Sequence, residues 1–440
     1  MKLMTAPAPH CATRDPSTTH ICGGNAHIHA GRGHGECRTR SGPHERSGWR
    51  PAVYAVALST AALLLGGCTG IGEKINPFNW FGSSGGIKPA ELREIKASLT
   101  LTPAWRASVG ASGQFAFVPA IAGETVYAAG DNGALSAFDL ATGAQKWRIQ
   151  ADRDGLSAGA GAFDDTIVVG TIKGEVLAFD AKGIPKWKAQ VSSEVLAPPL
   201  VTPAAVFVRS NDNRIYAFAP ADGRRLWVYQ RTAPALILRN FGGLSASGEA
   251  VYAGFPGGKL VALDSANGTL RWEGTVALPK GATELERIAD VTSSPVISTR
   301  DVCAVAYQGR AACFDISNGQ QLWTRDVSSY MGLTYDARYV FVSDEKSAMV
   351  ALARTTGSSL WKQDALAYRT LSAPLSLSRA VIAGDYQGIV HAFSREDGSL
   401  IGRAQTDGSA ITAPPVPLTA PGREMFFVQT RAGGLFAFSI

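Results

Sequence analysis

The stretch that decides the fold is VYAAGDNGALSAFDLATGAQKW, residues 126–147. Apolar residues alternate through its first five positions and again from Leu135, a period of two that marks β-strands. Asn132-Gly133 between the two runs supplies the positive φ that a tight hairpin needs. Asp139 then starts an Asx-type turn, a Gly follows, and Trp147 falls four residues after that Gly. The segment therefore reads as strand, turn, strand, turn, strand, with a large flat ring at a fixed place on the last strand.

The same pattern returns along the chain. IVVGTIKGEVLAFDAKGIPKW ends at Trp187, and further copies end at Trp227, Trp272, Trp323 and Trp361. A seventh copy, residues 381–402, has Gly402 in the Trp position, and an eighth, FFVQTRAGGLFAFSI, stops at Ile440. Asp180, Asp264 and Asp315 repeat the role of Asp139. A short apolar stretch between copies, such as APPLV at 197–201, supplies one more strand. Four strands in roughly 40–50 residues make a propeller blade. The eighth copy lacks its final strand and Trp, whereas PAWRASV around Trp105 matches that strand and has no copy of its own. The expected fold is all-β: an eight-bladed propeller over residues 102–440, closed by the N-terminal strand so that no sheet edge opens at the seam.

An address precedes the fold. Arg46 and Arg50 lead into an apolar run from Ala52 to Leu65, about 14 residues, too short for a comfortable membrane span and right for a signal-peptide core. It ends in Leu65-Gly66-Gly67-Cys68, which resembles a bacterial lipobox. That resemblance implies a signal peptide over residues 46–67 and acylation of Cys68. Thr69 rather than Asp after the Cys implies sorting to the outer membrane. Residues 68–101, with GSSGG and two prolines, read as a flexible tether. Residues 1–45 hold six of the seven histidines and Cys11, Cys22 and Cys37. Their spacing fits no zinc finger and they lack apolar residues to fold round an ion, so they read as an upstream extension from a misassigned start.

Several function classes drop out. The net charge of +6 is not a nucleic-acid footprint: residues 1–67 hold seven basic and three acidic residues, and the remainder 35 and 33. Downstream of Cys68 the chain has one histidine, His391, so a His-rich metal site is excluded. Gly155-Leu-Ser-Ala-Gly159 matches G-x-S-x-G but lacks the strand-to-helix setting of a nucleophile elbow. Neither a phosphate-binding loop nor a haem-attachment motif is present. No catalytic residue, metal or cofactor is expected. Cys303 and Cys313 fall opposite each other on one hairpin, either as a cross-strand disulfide or as two buried thiols.

The repeat, as in AFDAKGIPKW and ALDSANGTLRW, resembles those of pyrroloquinoline-quinone dehydrogenases. Those enzymes are longer, carry site-building insertions and have adjacent cysteines. A small quinoprotein and a cell-wall-binding propeller are the alternatives to the reading that follows.

Two consecutive connectors are long: 23 residues between Trp227 and Val251, and 29 between Trp272 and Val302, against 19 and 18 for the two before them. The first carries Leu236, Leu238 and Arg239; the second carries Glu284, Glu286, Arg287 and Asp290. Both must emerge on the same rim, because every blade-to-blade crossing does. Aliphatics beside an arginine, with acids next door, make a docking patch, with Asp290 as a candidate to hold Arg239. The other reading folds the leucines back over the blade. ALILRN and TELERIADVTSSPV, with the lipobox and eight repeats, resemble the BamB family of lipoproteins of the outer-membrane β-barrel assembly machinery. The resemblance implies a non-enzymatic scaffold on the periplasmic face of the outer membrane. Its implied partners are the POTRA domains of BamA, the rest of that complex and nascent barrel proteins. It also implies Leu236, Leu238, Arg239 and Asp290 as the BamA contacts. This chain has Thr292 where that family often has a second Asp.

Overall fold

The computed structural model describes residues 88–440, apart from 233, 240, 421 and 422. The expected signal peptide, the acylation expected at Cys68 and the expected extension over 1–45 fall outside the described residues. Eight four-stranded antiparallel sheets follow one another along the chain. Blade 1 contains Ala120–Ala122, Thr125–Ala129, Ala134–Asp139 and Gln145–Gln150, in that spatial order from the inside out. Blades 2 to 7 repeat it. Blade 8 differs in one respect: its outer strand is Thr102–Ser108, paired with the last strand Gly434–Ser439. The two ends of the chain thus close the ring in one sheet, as the orphan copies predict.

Eight apolar layers fill the eight junctions between neighbouring blades. Tyr127 and Leu135 of blade 1 meet Ile167 and Phe179 of blade 2, and the series runs round until Phe427 and Ala437 of blade 8 meet Val126 and Phe138 of blade 1. The middle strands are buried on both faces, which is why they read as nearly unbroken apolar runs. Cys303 and Cys313 face each other in register on blade 5 and form a disulfide inside the layer between blades 5 and 6.

The repeated Trp is an inter-blade lock. The indole Nε1–H of Trp147 donates to the Ala181 carbonyl of the next blade at 2.8 Å, and that of Trp272 donates to Ile316 at 3.1 Å. Trp105, Trp187, Trp227, Trp323 and Trp361 do the same to Leu140, Pro220, Ser265, Arg354 and Arg395. Each ring lies on the turn glycine of the following blade. A Cβ on Gly319, where φ is +73°, would stand 2.6 Å from Trp272. The turn therefore requires glycine twice over, for its left-handed backbone and for the space. In blades 1 to 7 a β-bulge between the third and fourth strands aims the Trp position at the neighbour.

The part of the expected tether nearest the propeller does not swing free. Residues 88–101 lie along blade 7, with Ser98 and Leu99 N–H both donating to the Ile401 carbonyl at 2.9 Å. The flexible reading of that stretch is corrected. Its alternating polar and apolar residues have no repeat partner to betray their packing.

Candidate docking surface

The connectors 231–244 and 276–295 lead into and out of blade 4, on the rim that also carries that blade's hairpin Phe255–Lys259. Asp290 stitches them together. It is only 2% exposed. Its Oδ2 accepts the Leu238 N–H at 2.7 Å and its Oδ1 accepts the Gly257 N–H at 3.1 Å. Its own carbonyl accepts from Tyr307 N–H at 2.9 Å, which ties in blade 5. Further along, Ser294 Oγ accepts the Gly243 N–H at 2.9 Å, and Ser245 Oγ donates to the Pro295 carbonyl at 2.6 Å. The two connectors are therefore one cross-braced surface.

This overturns the expected pairing of Arg239 with Asp290. The carboxylate is committed to backbone amides, and Arg239 turns the other way. Its guanidinium donates to Gln114 Oε1 at 3.3 Å and sits over the rings of Phe115 and Phe241, at 5.5 and 5.8 Å from their centroids. Gln114 and Phe115 belong to the connector from blade 8 to blade 1. Arg239 thus reaches over the rim toward the far side of the ring and remains exposed. The cation facing Asp290 is Arg209, from the second strand of blade 3, almost fully buried. Arg209 donates to the Gly254 carbonyl at 2.6 Å and stacks on Phe255 at 5.1 Å. Burial pushes its pKa down to about 10, with Asp290 opposing the shift.

The aliphatics divide. Leu238, its amide held by Asp290, is half-buried. Leu236 points outward at 43% exposure. Two leucines that the sequence reading passed over are barer still: Leu278 at 63% and Leu285 at 67%. Their signal was two leucines in the longest of these connectors, masked by the charges around them.

Leu285 stands on a stiff turn. Glu286 Oε2 accepts the Ala282 and Thr283 amides at 2.7 and 3.2 Å, and Thr283 Oγ1 accepts the Glu286 amide at 3.3 Å, a reciprocal capping box. Those amides hold the Glu286 carboxyl below its ordinary range. Arg287 Nε donates to the Gly281 carbonyl at 3.1 Å, and its guanidinium lies 3.5 Å from Glu284. Thr292, at the position of the expected second acid, donates to the Tyr330 carbonyl at 2.9 Å and braces the next connector. Tyr330 packs edge-on against Tyr307 at 6.3 Å.

The residues weighed for catalysis do not come together. Ser157 is buried and donates to the Val195 carbonyl at 2.7 Å. His391 is wholly buried in blade 7, between Asp385 at 2.9 Å and Arg403 at 3.4 Å.

The family model described as outer membrane protein assembly factor BamB matches residues 100–156 and 150–363. The chain is 42% identical over 388 residues to the outer membrane protein assembly factor BamB of Bordetella pertussis, covering 88% of this chain and 96% of that protein. It is 42% identical over 351 residues to the Burkholderia pseudomallei protein of the same name, covering 80% and 91%. The crystal structure of BamB from Moraxella catarrhalis superposes with a TM-score of 0.70 at 27% identity, covering 77% of this chain and all of that one. A quinohemoprotein alcohol dehydrogenase from Pseudomonas putida superposes with a TM-score of 0.63 at 13% identity, covering 77% of this chain and 76% of that one, which is a likeness of fold alone. With repeats, seam and connectors in place, these relations show that the chain belongs to the BamB family of outer-membrane protein assembly factors.

Proposed function

We propose that the protein is a non-enzymatic scaffold of the outer-membrane β-barrel assembly complex, held to the periplasmic face of the outer membrane by acyl chains on Cys68. It docks on the POTRA domains of BamA through the connectors flanking blade 4 and so assists folding and insertion of outer-membrane barrel proteins. The observation that carries this reading is the braced pair of connectors: Asp290 fixes their backbones while Leu236, Leu278 and Leu285 stay exposed. A rigid backbone presenting bare leucines loses little entropy on binding. Burying a leucine contributes about 1.5–3 kcal/mol. Arg239 adds a planar cation already supported by two aromatic rings.

The test is binding of the protein to purified POTRA domains. Leu236→Asp, Leu285→Asp and Arg239→Glu each lower affinity by roughly tenfold or more if these groups are desolvated at the contact. Native binding unaffected by all three removes the connectors from the interface. Absence of native binding removes the scaffold reading and brings quinone and cell-wall fragments forward as ligands to assay.

A further inference from the structure

Seven of the eight junctions carry a Trp lock, and the junction between blades 7 and 8 does not. Gly402 stands in the Trp position there, paired with Ala392 as Trp147 is paired with Ala137. A Trp at 402 would have no turn to lie on. In every other blade the third and fourth strands are joined by the turn that receives the ring, whereas in blade 8 these strands come from opposite ends of the chain.

The space is filled by the segment that leads into the propeller. The Leu99 carbonyl lies over Gly402, 2.7 Å from where a Cβ would stand. Leu99 and Leu101 are buried and join Phe436 and Phe438 in the apolar layer between blades 7 and 8. Leu92 packs against the layer between blades 6 and 7. Two arginines hold the strap, one from the connector between blades 6 and 7 and one from the outer strand of blade 7: Arg369 Nη1 donates to the Ala90 carbonyl at 3.0 Å, and Arg403 Nη1 donates to the Arg93 carbonyl at 3.1 Å. The Ala90 N–H donates in turn to the Ala367 carbonyl at 2.9 Å. Arg369 is itself buried and paired with Asp385 at 2.7 Å, so the strap rests on a buried ion pair at the connector rim.

We infer that residues 88–101 are the eighth lock of the ring, a strap that replaces the missing Trp and closes the junction between blades 7 and 8. The path follows from the contacts. The strap meets blade 7 at the connector rim beside Ala367, runs down its outer strand past Arg403 to Ile401, and turns back as the outer strand of blade 8. One strap thus clasps the two blades on either side of the seam.

Hydrogen exchange on the full chain tests this, in the native protein, Gly402→Ala and Leu99→Ser. Gly402 has no left-handed backbone, so alanine there presses mainly on the Leu99 carbonyl. In the native protein the Ser98 and Leu99 amides are protected. Each variant lowers that protection by roughly tenfold or more, as expected for a lost buried hydrogen bond or apolar contact, and the loss spreads to Thr102–Ser108 and Gly434–Ser439. If Gly402→Ala does not fold, Leu99→Ser decides. Native amides at 98 and 99 that exchange like an open peptide overturn the inference. So does a loss confined to the strap while both blade 8 strands keep their protection, because the strap is then a passenger.

Discussion

Replacing Asp290 with asparagine separates a residue that touches a partner from one that shapes the surface offered to it. The carboxylate accepts two buried amides, from Leu238 at 2.7 Å and Gly257 at 3.1 Å. Asparagine keeps the size but supplies one oxygen and an NH2 group. One amide keeps a weaker, neutral acceptor, while the other faces a donor and is left unsatisfied. The first change costs about 1 kcal/mol and the second about 1–3 kcal/mol. Arg209 also loses the acid that faces it in a buried setting. A total of about 2–4 kcal/mol is expected, concentrated in the connectors rather than spread over the ring. Urea unfolding gives the total, and hydrogen exchange at the Leu238 and Gly257 amides gives its location. Binding to POTRA domains is then compared with Leu236→Ala. Asp290→Asn weakens binding and frees both amides; Leu236→Ala weakens binding and leaves them protected. Lost binding in Asp290→Asn with both amides still protected refutes the reasoning, because the carboxylate then acts by contact.

Three further outcomes follow from the fold. Gly319→Ala strains a φ of +73° and drives a methyl to 2.6 Å from Trp272; it lowers stability by about 2–4 kcal/mol, and a denaturation midpoint equal to that of the native protein contradicts the lock. Reducing Cys303–Cys313, which are 10 apart in sequence, lowers stability by about 2–3 kcal/mol on the loop-entropy model, read as the difference in urea midpoint with and without reductant after unfolding and refolding. Stability falls with acid. Burial, outweighing its Asp385 partner, holds the His391 pKa below its ordinary value, and Arg403 Nε donating to Nδ1 fixes the neutral ring with its Nε2 proton on Asp385. That contribution is whole above about pH 6.5, the unfolded value, and fades as pH drops below it toward the folded one. Burial alone would raise the Asp385 carboxyl, but bonds from His391, the Ile389 amide and Arg369 outweigh it and hold it low, so its contribution is lost below the ordinary carboxylate range. A urea midpoint constant from pH 7.5 to 5, or unaltered in its slope by His391→Gln, contradicts this account.

The sequence carried the ring because each blade is built from local signals. Asn132-Gly133 and Gly143-x-x-x-Trp147 name their own turns, and the missing strand after Ile440 could be matched to Trp105 by pattern alone. The candidate docking surface was half legible. Leu236 and Arg239 announced themselves by being greasy or charged in a connector, but the partners of Asp290 are backbone amides, which leave no mark in a sequence. Arg239 looked for an acid nearby and found Gln114 and Phe115, more than a hundred residues away, because the ring folds distant connectors together. Residues 88–101 were misread for a related reason. Leu99 and Leu101 follow no repeat, and only the absence of a Trp at Gly402 hinted that something else had to sit there.

A ring of near-identical blades has no natural first member, and a partner could bind it in eight equivalent registers. The irregular junction, together with the two long connectors at blade 4, removes that degeneracy. Every blade acquires an address, counted from the seam, and the connector between blades 3 and 4 lies half a turn from it. Evolution can then alter one connector without the change being ambiguous by rotation, so a shape built from eight repeats behaves toward its surroundings as an object with a front and a back.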